Sequence, residues 1–213
     1  MRLKSGILFI VACIAILFVT GCSKKDSGDS VISGGSSEGS LTNHEGANEV
    51  VTANNVEIVT KKINDMAMDV YSRAILTPSF DKPSNFTTNL NGDIDGNKSG
   101  KVSIKGSVVT KMTGIITSGV DYNIVSIFYD FSDDGEMYYG GSLTYNGAVK
   151  YNTNNDFVSN TITFNGGFRF NGAYSGTEDI RTTVRVDSEG NYSYDVSANV
   201  TSGGVSFSKS FKY

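Results

Sequence analysis

The sequence predicts a mainly β domain: an antiparallel meander of about eight strands, curled into a barrel or half-barrel, with one N-terminal amphipathic helix packed on it. Three observations lead there. Beyond Thr87 apolar and polar residues alternate with period two, the mark of strands with one wet face. Clusters of Gly, Asp, Asn and Ser punctuate the alternating runs as tight turns do. Between Val56 and Ala74 the apolar residues recur instead at steps of three and four.

Taken in chain order, the first segment is an export signal. Arg2 and Lys4 give a basic start, Gly6 to Val19 is apolar, and Thr20-Gly21 precedes Cys22. The apolar run falls short of the roughly 20 residues that a spanning helix needs, and small residues lead into the cysteine, as at a cleavage site. Val19-Thr20-Gly21-Cys22 resembles the lipobox of bacterial lipoproteins. That resemblance implies cleavage before Cys22 by a type II signal peptidase. It also implies lipid, palmitate included, on Cys22, and a membrane anchor in the cell envelope. Ser23 stands where an aspartate would resemble the inner-membrane retention signal, so the resemblance favours the outer membrane.

The domain plan is then residues 1–21 as signal peptide, 22–48 as lipidated cysteine and tether, and 49–213 as helix plus all-β domain. Residues 23–48 are rich in Ser, Gly, Asp and Asn, too poor in apolar groups to offset the entropy of ordering, and read as disordered. A coil of that length reaches roughly 25–30 Å. His44, the only histidine, falls inside it.

Val56, Val59, Ile63, Met66, Val70 and Ala74 share one face of a helix placed at 55–76. Asn54 with Glu57 reads as a capping box, and Pro78 disfavours helix just before it. The opposite face mixes Lys61, Lys62, Asp65 and Asp69, which suits a helix packed on its own sheet better than a basic membrane-surface helix.

The strands fall near 86–92, 101–111, 120–131, 136–146, 157–172, 179–187, 191–201 and 204–213. Ile162, Phe164, Phe168 and Phe170 point one way, against Thr163, Asn165 and Arg169. Turn signals lie at Asp95-Gly96-Asn97, Ser132-Asp133-Asp134-Gly135, Asp187 to Asn191 and Ser202-Gly203-Gly204. Short links favour pairing of neighbours in the chain. Near Ile124 and Val125 the apolar phase slips, which predicts a bulge there.

Gly106, Gly141 and Gly166 occupy the apolar phase of their strands, where a glycine adds no burial. Two uses follow: strong coiling of the sheet, or a groove that seats the helix or an apolar ligand. Phe164, Phe168 and Tyr139 would line that groove, in keeping with the many Phe and Tyr on the same face.

Composition narrows the chemistry. Cys13 lies in the signal and Cys22 carries lipid, so no thiol is left for a disulfide or a nucleophile. Without Arg2 and Lys4, 16 basic residues face 22 acidic ones, a net −6 that disfavours nucleic acid as a partner. Asp130, Asp133, Asp134 and Glu136 form the densest acidic cluster, a weak candidate for calcium whose spacing fits hairpin turns better. Asp93, Asp95 and Asn97 begin like a calcium loop, but Lys98 and Ile104 break the pattern. Glu178-Asp179 is a third acidic pair, read at a turn, of the kind a carboxylate-dependent hydrolase would use.

The expectation is a lipid-anchored, non-catalytic binding or structural module without cofactor. Its partners are the membrane, through Cys22, and an apolar small molecule or another envelope protein. The alternatives are a lipidated outer-membrane barrel and a carboxylate-dependent hydrolase. Val205, Phe207, Phe211 and Tyr213 resemble the terminal signal of such barrels, with Lys209 breaking it.

Overall fold

A computed structural model of the chain describes residues 39–46, 48–75 and 87–212. The signal, the lipobox and Cys22 lie outside the described residues. A short strand β1 (Glu49–Val50) leads into helix α1 (Val56–Ala74). Eight strands follow: β2 (Thr87–Asp95), β3 (Ser99–Thr113), β4 (Ile116–Ser132), β5 (Met137–Tyr151), β6 (Phe157–Gly172), β7 (Tyr174–Val186), β8 (Tyr192–Ser202) and β9 (Val205–Lys212).

The eight strands pair in chain order, each antiparallel to the next, while β1 adds to β7 in parallel. β2 and β9 end the order without pairing to each other, so the sheet is a curled half-barrel. The expected meander and helix are both present. Several strands are longer than expected because β3, β4 and β5 continue past their apolar runs into exposed ends at Met112, Ile116 and Lys150.

α1 starts one residue later than its capping box requires. Asn55, not Asn54, is the N-cap, and its side chain accepts from Thr52 N at 2.6 Å rather than from the first turn. Glu57 still places a carboxylate beside the positive end of the helix. The buried face holds Val56, Val59, Ile63 and Val70, as the spacing predicts, together with Thr60, Asn64, Ala67 and Tyr71. Its backbone approaches β2 on one side and β7, β8 and β9 on the other, so it fills the inside of the curl near the open seam.

The strand residues of the apolar phase face α1. Ile104, Ile124, Phe128, Leu143, Tyr145, Phe164, Phe170 and Val184 are fully buried in one cluster with the helix. The rings of Tyr71 and Tyr145 lie 5.6 Å apart, and the Tyr145 hydroxyl donates to Ala67 O at 2.9 Å. The opposite phase (Lys105, Ser107, Asn123, Asn146, Thr163, Arg181 and Ser197 among it) points outward.

The bulge lies elsewhere than expected. Pairing of β3 with β4 is regular through Ile124 and Val125, and the register breaks between Phe128 and Phe131, where Asp130 takes φ +54°. The apparent slip arises because Ser126, a polar residue, occupies a buried inward position while Val125 and Ile127 face outward. The pair Glu178-Asp179 is likewise not at a turn. Both lie inside β7, with Glu178 inward and buried and Asp179 outward, so the two carboxyls stand on opposite faces of the sheet.

Four helix side chains, Val56, Val59, Ile63 and Val70, have no exposed surface. Burying each contributes about 1.5–3 kcal/mol, an upper bound but together comparable to the roughly 5–15 kcal/mol that holds a whole domain folded. Ile63→Asp puts an unpaired charge into this contact. It is expected to cost more than about 3 kcal/mol in chemical denaturation, and unchanged stability would mean that α1 does not pack on the sheet.

Candidate functional site

The groove residues come together, but as core. Tyr139 and Phe168 pair at 6.1 Å, Phe128 and Phe168 at 4.9 Å, and Tyr145 and Phe164 at 5.5 Å, all buried against α1 or beside it. Gly106, Gly141 and Gly166 lie where neighbouring strands come close. A Cβ on any of them would lie within 2.2 Å of a carbonyl oxygen on the neighbouring strand, contributed by Asn123, Gly167 and Ser142 respectively. The glycines let adjacent strands approach closely at these three positions.

The acidic cluster is divided among different partners. Asp133 accepts from Arg73 at 3.0 Å and from Asn97 N at 2.9 Å, and Glu136 accepts from Lys62 at 2.8 Å. These two ion pairs tie the β4–β5 hairpin to α1. Asp134 caps the turn itself, accepting from the backbone N–H of Glu136 at 2.8 Å and of Met137 at 3.0 Å. Among the described residues no group of three or more His, Cys, Asp or Glu side chains is arranged to hold a metal.

Asp130 has a separate use, and with it the reading of His44 changes. Residues 39–46 and Asn48, expected to belong to the tether, lie along the sheet as a strap. Arg169 donates to Gly39 O at 3.0 Å, Asp130 N to Ser40 O at 2.8 Å, and Asn171 to Thr42 O at 2.7 Å. Thr42 donates to Asp130 from both its N–H and its hydroxyl, at 3.1 and 2.9 Å. His44 Nε2 lies 2.7 and 2.8 Å from the two Asp130 oxygens, and its ring stacks on Tyr138 at 3.6 Å. The strap continues through Asn48 N to Gly172 O at 2.7 Å and Glu49 N to Ala173 O at 2.9 Å, then enters β1 and the interior at Val51. Polar partners on the rim hold it, which is why a search for apolar residues leaves it out.

Two features of the sheet are shaped for the strap. Gly140 faces it: a Cβ there would sit 2.6 Å from Ser40 O and 2.7 Å from Leu41 Cβ. Asp130 occupies a left-handed conformation that Asp and Asn tolerate better than most residues, and this turns its carboxylate toward Thr42 and His44. Burial acts to raise the Asp130 carboxyl, yet the hydrogen bonds from His44 and Thr42 outweigh it and hold the group below its ordinary 3.8.

Thr, His and Asp in contact suggest a catalytic relay, but the geometry is that of a clasp. A relay uses both ring nitrogens of the histidine, one toward the nucleophile and one toward the carboxylate. Here the single nitrogen Nε2 serves Asp130 and lies 3.0 Å from the Thr42 hydroxyl, which itself donates to Asp130. On the outer face an open groove of about 510 Å³ is lined by Ser107, Asp121, Asn123, Asn146, Thr161 and Thr163. Val109, Tyr122 and Ala148 also line it, so the groove is mixed in character.

No protein-family model matches the chain, and neither a curated protein nor a solved structure matches it.

The clasp generates a prediction. His44→Ala should loosen the strap by about 1–2 kcal/mol, seen as faster protease cleavage between residues 39 and 50 with the sheet intact. Because the folded-state Asp130 titrates below its ordinary value, the clasp's contribution is complete above that value and lost as pH falls through the lowered one. Cleavage that is insensitive to His44→Ala would remove the histidine from the clasp.

Proposed function

We propose that this chain is a lipid-anchored, non-catalytic binding or structural module of the bacterial cell envelope. It would be attached through lipid on Cys22, in the outer membrane by preference. The observation that carries this reading is the use made of the two faces of the sheet. The chain's own helix consumes the apolar face, and the outward face is mostly Ser, Thr and Asn with charges of both signs, Val109, Val125, Ile127 and Tyr129 being set among them. A module of this kind needs only its acyl chains in the bilayer.

The same observation weighs against an outer-membrane barrel, which needs an apolar band on its outside. Lys105, Asn123, Asn146, Arg181 and Ser197 lie where that band would be. Lys209 on the edge strand β9 shares the inward phase with Phe207 and Phe211, an inward charge of the kind that discourages another strand from adding to a free edge. The hydrolase reading needs two carboxyls facing one cleft. Asp130 is directed to the strap, Asp133 and Glu136 to α1, and Asp134 to its own turn.

Of the partner classes, the open outer face favours another envelope protein over an apolar small molecule. An apolar small molecule would have to reach the interior that α1 now fills. Neither use calls for a cofactor, and net acidity disfavours nucleic acid.

Cys22→Ala tests the anchor and the barrel alternative together. The variant is expected in the soluble fraction after cell lysis, whereas the wild-type chain sediments with membranes. Retention of the variant in the membrane after high-salt and carbonate washes would favour an integral barrel.

A further inference from the structure

Among the described residues Glu178 is the one carboxylic acid removed from solvent, at 1% exposure. It projects inward from β7 between its ladder neighbours Phe168 on β6 and Val200 on β8, and on the helix side it meets Thr60. Neither carboxyl oxygen has a hydrogen-bond partner of normal geometry among the described residues, and the Thr60 hydroxyl has none either. One helical turn on, Thr182 of β7 donates to Asn64 at 2.9 Å. α1 therefore sits on β7 along a polar seam, Thr60 and Asn64 against Glu178 and Thr182, inside an otherwise apolar contact.

Such a seam is a poor way to secure a permanent plug. A buried group left without a partner costs the contact stability, and apolar residues of similar size would hold the helix better. What the seam supplies is a dependence on one proton. Burial first, and then the like charge of Asp179 on the opposite face, push Glu178 from its ordinary 4.5 up to about 8, with Thr60 opposing. Tyr139 is the other ionisable group whose titration is coupled to it, and burial, then Asp134 and Glu178, push that phenol upward, so it stays neutral. Phe168, Val200 and Thr60 carry no charge, while Lys62 and Arg73 of α1 are engaged at the rim by Glu136 and Asp133. Among the described residues no cation meets the charge that forms when Glu178 loses its proton.

We propose that Glu178 is a proton-controlled seat for α1: protonated, it lets the helix close the half-barrel, and ionised, it loosens the helix so that the interior around Tyr139, Phe164 and Phe168 opens more often. The sign follows from linkage. In the released state Glu178 faces water and titrates at its ordinary 4.5, so below that value both states hold the proton and the helix is most secure. Between there and about 8 only the seated state holds it, and each pH unit favours release by about tenfold. Above about 8 the effect is complete.

Hydrogen exchange along α1 tests this on the full chain at pH 5 to 9, with rates corrected for the intrinsic pH dependence of exchange. In the wild-type chain the protection of residues 57–74 should fall by at least tenfold between pH 6 and 8, while β4 to β6 stay protected. In Glu178→Gln, which keeps the shape of the protonated acid, it should stay flat, and Glu178→Met serves the same purpose should the amide variant fold poorly. Flat protection in the wild-type chain, an equal loss across the sheet, or the same pH dependence in either variant would overturn the proposal.

Discussion

A meander that curls without closing leaves an apolar inner face that nothing in the sheet itself can cover. α1 meets that requirement, and the rest of the molecule is arranged around the contact. The helix presents Val56, Val59, Ile63 and Val70 to the inward residues of the strands, and the Tyr145 hydroxyl reaches across to Ala67 O. The open seam between β2 and β9 is tolerable because the helix lies near it and because β9 carries an inward lysine. Adjacent strands approach closely at Gly106, Gly141 and Gly166, where any side chain would meet a neighbouring carbonyl oxygen.

Around this core the charged side chains serve as fasteners. Lys62 and Arg73 bind α1 to the β4–β5 hairpin through Glu136 and Asp133, and Asp130 binds the strap that precedes the helix. Exposed pairs of this kind contribute little energy singly, but they fix where the chain enters the half-barrel. His44, Thr42 and Tyr138 complete the strap's seat, so the segment that leads into the helix is joined to the same hairpin that holds the helix.

Much of the fold is legible in the sequence because periodicity reports burial directly. Val102, Ile104 and Val108, or Phe164, Phe168 and Phe170, alternate with polar residues as their faces require, and Ile63 and Val70 mark the helix. The features that periodicity misreads are polar residues in apolar positions. Ser126 disguised the regular pairing at Ile124 and moved the expected bulge away from Asp130. Thr60 and Asn64 belong to the buried face of α1, yet their side chains place them on its wet one. Glu178 reads as a turn residue for the same reason. The strap was illegible because its contacts are hydrogen bonds to residues about 90 to 130 positions away, which leave no local pattern.

The central claim is that the sheet depends on α1 to cover its inner face. The most direct measurement compares residues 87–213 alone with the same fragment mixed with a peptide spanning residues 49–75, followed by near-ultraviolet circular dichroism and thermal melting. Without the peptide the fragment is expected to melt at a clearly lower temperature, with weaker aromatic signal and binding of an apolar dye, and adding the peptide should restore the aromatic signal and raise the melting temperature. A fragment that melts as the mixture does, with unchanged aromatic signal and no dye uptake, would contradict this dependence.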